Sequence, residues 1–101
     1  TLAGSGTANT TDGTGTDAAF KGPSGITTDG TNLYVTEYTG RTIRKIVIAT
    51  GVVTTLAGSG TANTTDGTGT DAAFKGPSGI TTDGTSLYVA GYGSHKIRKI
   101  E

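Results

Sequence analysis

Cysteine, tryptophan and methionine are absent from the 101 residues, histidine occurs once and proline twice. Without cysteine there is neither a disulfide framework nor a thiolate metal site, and the redox compartment is left open. Neither sign of charge prevails: eight Lys and Arg stand against eight Asp and Glu, so no basic footprint exists for DNA, RNA or an anionic membrane. Long apolar runs are missing as well, which rules out a membrane-spanning helix and leaves no signal-peptide core in this sequence. Hydrophobic residues make up only 32%, thin material for the core of an isolated small domain.

What the chain does have is glycine, 18 residues of it, and a repeat. The stretch GPSGITTDGTNLYVTEYTGRTIRKI at residues 22–46 returns 54 positions later as GPSGITTDGTSLYVAGYGSHKIRKI at 76–100, and residues 1–47 differ from 55–101 at only eight positions. Such self-similarity is the signature of stacked units, each of which buries its apolar face against the next.

Each unit reads as strands joined by turns. Gly51-Val52-Val53-Thr54-Thr55-Leu56-Ala57-Gly58 is a β-branched run, and Thr1-Leu2-Ala3-Gly4 is the tail of the same run. The cluster SGTANTTDGTGTD, at 5–17 and 59–71, has no hydrophobic period and predicts a long loop, pinned to the core by Ala18-Ala19-Phe20 and Ala72-Ala73-Phe74. Pro23 leads into a first strand over Ser24–Asp29 with Ile26 as its buried anchor. Leu33-Tyr34-Val35 makes a second strand, and Thr42–Ile48 a third with a bulge near Arg44-Lys45. A tight hairpin at Ala49-Thr50-Gly51 then leads into a fourth strand over Val52–Ala57. The second unit stops after three.

Four short antiparallel strands per 54-residue repeat predict an all-β chain of two propeller blades. The runs P-S-G-I-T-T-D-G-T-x-L-Y-V, G-x-x-x-I-R-K-I and V-T-T-L-A-G-S-G resemble the bacterial form of the NHL repeat over essentially the whole chain; the departures lie mainly in the turn after Leu-Tyr-Val. The resemblance implies a closed ring, commonly of six blades, and a bacterial, extracytoplasmic parent; composition by itself leaves the compartment open. Two blades cannot close on themselves. The segmentation is then an outer strand at 1–4, a loop at 5–22, blade one at 23–57, a loop at 58–76 and the first three strands of blade two at 77–101. Residues 1–4 are expected to complete the last blade of a neighbouring copy, giving a homo-oligomer of three chains with six blades, or of four chains with eight.

No enzyme motif survives inspection, and no cofactor is implied. Ser24 between Gly22-Pro23 and Gly25 is one residue short of G-x-S-x-G, and His95 has no counterpart in the first copy. Asp12, Asp17, Asp66 and Asp71 offer carboxylates in glycine-rich loops, where a calcium ion would want several oxygens; turn-capping aspartates explain them more simply. Arg44, Lys45, Arg98 and Lys99 form a basic strand best explained as a solvated edge. The turn following Leu-Tyr-Val holds most of the differences between copies, which makes Glu37, Tyr38, Arg41, Tyr92, His95 and Lys96 the candidates for ligand contact. Two functions follow as expectations: a self-assembling, non-catalytic scaffold, engineered or excised from a highly repetitive parent, or a module that binds a glycan, peptide or protein on its loop face.

Overall fold

The structure, a computed structural model, describes all residues, Thr1–Glu101, as two antiparallel sheets. In the first, β2 (Pro23–Thr28), β3 (Asn32–Glu37), β4 (Thr42–Val47) and β5 (Val52–Ala57) pair in chain order, and a two-residue strand from the loop, β1 (Gly13–Thr14), lies outside β5. The second contains β6 (Pro77–Thr82), β7 (Leu87–Gly91) and β8 (Ile97–Ile100), again paired in order. The strands expected within 23–57 and 77–101 are present with ends shifted by a residue or two, β5 with its expected bounds, whereas the outer strand expected at 1–4 is not formed.

Turn chemistry fixes the registers. Asp29 Oδ1 accepts from the backbone N–H groups of Thr31 (2.9 Å) and Asn32 (2.8 Å), closing the β2–β3 hairpin so that Thr28 faces Leu33. Asp83 repeats this with Thr85 and Ser86. Capping by aspartate, predicted for the loop carboxylates, thus belongs to these hairpins. The irregularity foreseen near Arg44-Lys45 lies one position earlier: Ile43 faces Ala57 and Arg44 faces Thr55, so Leu56 is the extra residue.

The loop at 5–22 is ordered by backbone bonds. Thr11 exchanges two N–H···O bonds with Ala19, of 3.2 and 2.9 Å, and Gly15 N–H donates to Gly51 O at 2.8 Å. Ala18 and Ala19 are buried as predicted, and Ala18 joins Val35, Ile46 and Val53 in one small core. A second core, Ile43, Ala57, Ala72, Phe74 and Val89, lies between the sheets. Ser24 Oγ donates to Pro77 O (3.0 Å) and Thr36 Oγ1 to Ser78 O (3.3 Å), which ties β2 and β3 to β6 across that junction.

Identical residues differ in burial according to whether a neighbouring sheet is present. Ile26, expected as a buried anchor, is 61% exposed, whereas its counterpart Ile80 packs against the inter-sheet core. Conversely Ile43 is fully buried and Ile97 is 75% exposed. Gly67-Thr68 repeats the sequence of β1 yet forms no strand, because no fourth strand lies beside β8 to pair with it. Thr1–Gly4 forms no strand either. Gly4 N–H donates to Gly15 O at 3.1 Å, as Gly58 N–H does to Gly69 O, so the segment leads into its loop in the same way as the end of β5.

Candidate functional site

Antiparallel pairing sets Glu37 opposite Thr42 and Val35 opposite Arg44, so Glu37 and Arg44 are diagonal neighbours on one face of the sheet. The loop at 5–22 covers that face, and both side chains are completely buried. Arg44 Nη1 donates to Glu37 Oε2 and to Ala19 O, each at 2.8 Å, while Nη2 reaches Thr11 O (2.9 Å) and Asp12 Oδ1 (3.1 Å). Its guanidinium lies 4.9 Å from the centre of the Phe20 ring. Glu37 also accepts from Lys21 N–H (2.9 Å), Thr10 Oγ1 (3.0 Å) and the Thr42 hydroxyl. The pair therefore clamps the loop to the sheet, with Arg44 Nε the buried polar atom left without a partner. The reading of Arg44 as a solvated edge residue is corrected: the loop supplies a second covering layer, so β4 is enclosed on both faces.

The turn candidates are divided among several places. Glu37 is inside. Tyr38 (43% exposed) and Tyr92 (73% exposed) meet edge-to-face, with ring centroids 6.3 Å apart at 63°. Tyr38 N–H bonds to Gly22 O and Tyr92 N–H to Gly76 O, both at 2.8 Å, which anchors each turn to the preceding loop. Arg41 and His95 hold left-handed backbone conformations, φ 60° and 58°, and are exposed. Arg41 lines a polar groove of about 470 Å3 with Asn9, Thr10, Lys21, Gly40 and Ser59, on the face where loops and turns emerge together. Lys96 lines another groove of about 620 Å3 that runs along the unpaired edge of β8, beside Thr64, Phe74 and Arg98.

Of the loop carboxylates, Asp12 bonds Arg44 and accepts from Thr55 Oγ1 (3.0 Å), and Asp66 bonds Arg98 Nη2 (3.0 Å); Asp17 and Asp71 are exposed in short 3-10 turns. No three His, Cys, Asp or Glu side chains converge in a way that could hold a metal ion. On the opposite face, Asp29 lies below its ordinary value of 3.8, first because of the Asn32 and then the Thr31 backbone N–H. Tyr34, whose hydroxyl donates to Asp29 Oδ2 at 3.0 Å, is raised above 10.0, chiefly by burial.

No protein-family description and no curated protein matches this sequence. Solved structures do. A Bacteroides thetaiotaomicron protein of unknown function superposes with a TM-score of 0.87 and 34% identity over 92% of this chain. An auxiliary nutrient binding protein of the same species gives 0.82 and 26% over 95%, and one from Bacteroides ovatus gives 0.79 and 25% over 94%. The chain spans about a quarter of the length of each, 24%, 26% and 26% respectively.

Proposed function

We propose that the chain is a two-blade unit of a β-propeller that closes into a ring of identical copies and acts as a scaffold without catalysis. One observation carries this reading: Thr1-Leu2-Ala3-Gly4 repeats Thr55-Leu56-Ala57-Gly58, the end of β5 that fills the fourth-strand place beside β4, whereas β8 has an unpaired edge and a groove beside it. Moving the β4–β5 register by 54 positions sets Ala3 of one copy opposite Ile97 of the next, and Thr1 opposite Arg98. The same shift carries the Thr55–Asp12 hydrogen bond onto Thr1 and Asp66. Ile26, Ile97 and Tyr92 are exposed where a neighbouring sheet would cover them. Three chains give six blades and four give eight, within the range of known propellers.

Light scattering at micromolar concentration tests this directly. Since one chain weighs 10.0 kDa, three give about 30 kDa and four about 40 kDa. A stable 10.0 kDa species overturns the proposal.

A second reading, a ligand-binding module, is supported by the polar groove at Arg41 on the loop face and by similarity to two nutrient binding proteins. A glycan and peptide array would register it as a saturable signal that Arg41→Ala removes.

A further inference from the structure

Three of the eight differences between the copies act on one spot. Glu37 becomes Gly91, Gly40 becomes Ser94 and Thr42 becomes Lys96. In the first sheet the Glu37 carboxylate takes hydrogen bonds from Arg44 Nη1, Lys21 N–H, Thr10 Oγ1 and the Thr42 hydroxyl. The frame around that carboxylate recurs in the second sheet. Arg98 Nη1 donates to Ala73 O and Nη2 to Thr65 O, each at 3.0 Å, as Arg44 does to Ala19 and Thr11, and its guanidinium lies 4.8 Å from the centre of the Phe74 ring.

The carboxylate is missing, and the Thr42 hydroxyl is replaced by Lys96. Lys75 N–H and Thr64 Oγ1, the counterparts of Lys21 N–H and Thr10 Oγ1, make no hydrogen bond within the chain, and Arg98 Nη1 makes one bond where Arg44 Nη1 makes two. Losing one negative charge at residue 91 and gaining one positive charge at residue 96 turns the locality cationic. The Arg98 side chain is 11% exposed, and the groove that reaches it is lined by Thr64 and Lys96. The Ser94 hydroxyl takes the position that a Cβ would occupy at Gly91, so no side chain extends from residue 91 towards Arg98.

We infer that the second sheet binds a small free carboxylate, of the size of formate or acetate, in the place that the Glu37 side chain fills in the first. One oxygen accepts from Arg98 Nη1 and Lys75 N–H. The other accepts from Thr64 Oγ1, and Lys96 supplies the counter-charge. Charge-assisted bonds of this kind to a largely enclosed guanidinium favour an anion of matching shape over chloride. The binding groups all lie within one chain, and residues 1–4 of a neighbouring copy, where the ring closes, would cover the groove that reaches Arg98.

Amide NMR of the intact chain provides the test, because Lys21 N–H is a built-in reference for the carboxylate-bound state. Titration with acetate at constant ionic strength should move the Lys75 amide resonance saturably towards that of Lys21 and leave Lys21 in place. At acetate tenfold above its dissociation constant the unfolding midpoint should rise by about 6–7 °C. The triple variant Gly91→Glu, Ser94→Gly, Lys96→Thr rebuilds the first copy's site, and its Lys75 amide should no longer respond. The reciprocal variant Glu37→Gly, Gly40→Ser, Thr42→Lys should make Lys21 responsive. An unmoved Lys75 amide, an equal response to chloride, or a response that persists in the rebuilt variant overturns the assignment.

Discussion

At the scale of the residue, the Glu37–Arg44 pair has the largest consequence. Both side chains are fully buried, so removing Glu37 leaves the enclosed Arg44 guanidinium with only the half-exposed Asp12 as a carboxylate partner. Glu37→Ala should destabilise the chain by about 3–5 kcal/mol, read as a lower denaturant midpoint with an unchanged slope. Arg98, whose acidic partner Asp66 has a side chain 94% exposed, stands in a weaker version of this clamp.

The hairpin aspartates contribute to the acid limb of stability. Asp29 and Asp83 both have folded-state values below the ordinary 3.8, through backbone N–H bonds from Asn32 and Thr31 and from Ser86 and Thr85 respectively. Their contribution is complete above that ordinary value and is lost as pH falls through the lower folded value. Thermal melts between pH 2 and 7 should show Asp29→Asn, Asp83→Asn less stable than the parent near neutrality and level with it at the acid end. Tyr34 acts on the alkaline side. Raised above 10.0, chiefly by burial, it favours the folded state below pH 10.0, and that advantage is lost as pH climbs through the folded value.

At the scale of the element, two identical glycines have unequal surroundings. A Cβ at Gly25 would lie 2.6 Å from Ser78 O and 2.9 Å from Thr36 Oγ1, because β2 and β6 approach closely there. At Gly79 the nearest atom is Ala90 Cβ, at 3.8 Å. Gly25→Ala should force the sheets apart and cost about 1–3 kcal/mol, visible by chemical denaturation. Gly79→Ala should leave the single chain within about 0.5 kcal/mol of the parent. If sheets pack between copies as they do within one, Gly79→Ala should also reduce the mass measured by light scattering.

The strands β2 to β8 and their order were legible in the sequence, because apolar alternation, Asp-Gly turns and the 54-residue period are local signals, whereas β1 and the absence of a strand at 1–4 were not. Burial of Arg44 was harder to foresee. Hairpin arithmetic across the turn at 38–41 does set Glu37 and Arg44 on one face, and a Glu–Arg diagonal in a strand pair was the available signal. That the face is covered depends on a loop more than twenty residues away in sequence, which carries no apolar period of its own.

At the scale of the whole molecule, the 101 residues contain eight strands in two sheets, of which the second lacks a partner along β8. Removing residues 1–4 should lower the assembled mass towards 10.0 kDa, and a synthetic peptide with the sequence of Gly51–Gly58 should bind the shortened chain at β8, measured by calorimetry. Failure of both would leave the unpaired edge without the occupant proposed for it.

The sequence by itself determined the repeat, the all-β character, the hairpins and the identity of the segment that resembles a fourth strand. Each of these rests on contacts between residues close in the chain, or on the equality of two copies. Tertiary structure decided which copies of the same residue are inside. Ile26 and Ile80, Ile43 and Ile97, and Gly13-Thr14 and Gly67-Thr68 are the same residues in the same local sequence, yet they differ in burial or pairing. Burial and strand pairing are properties of what lies alongside. A sheet with a neighbour on one side only can satisfy just one of its faces.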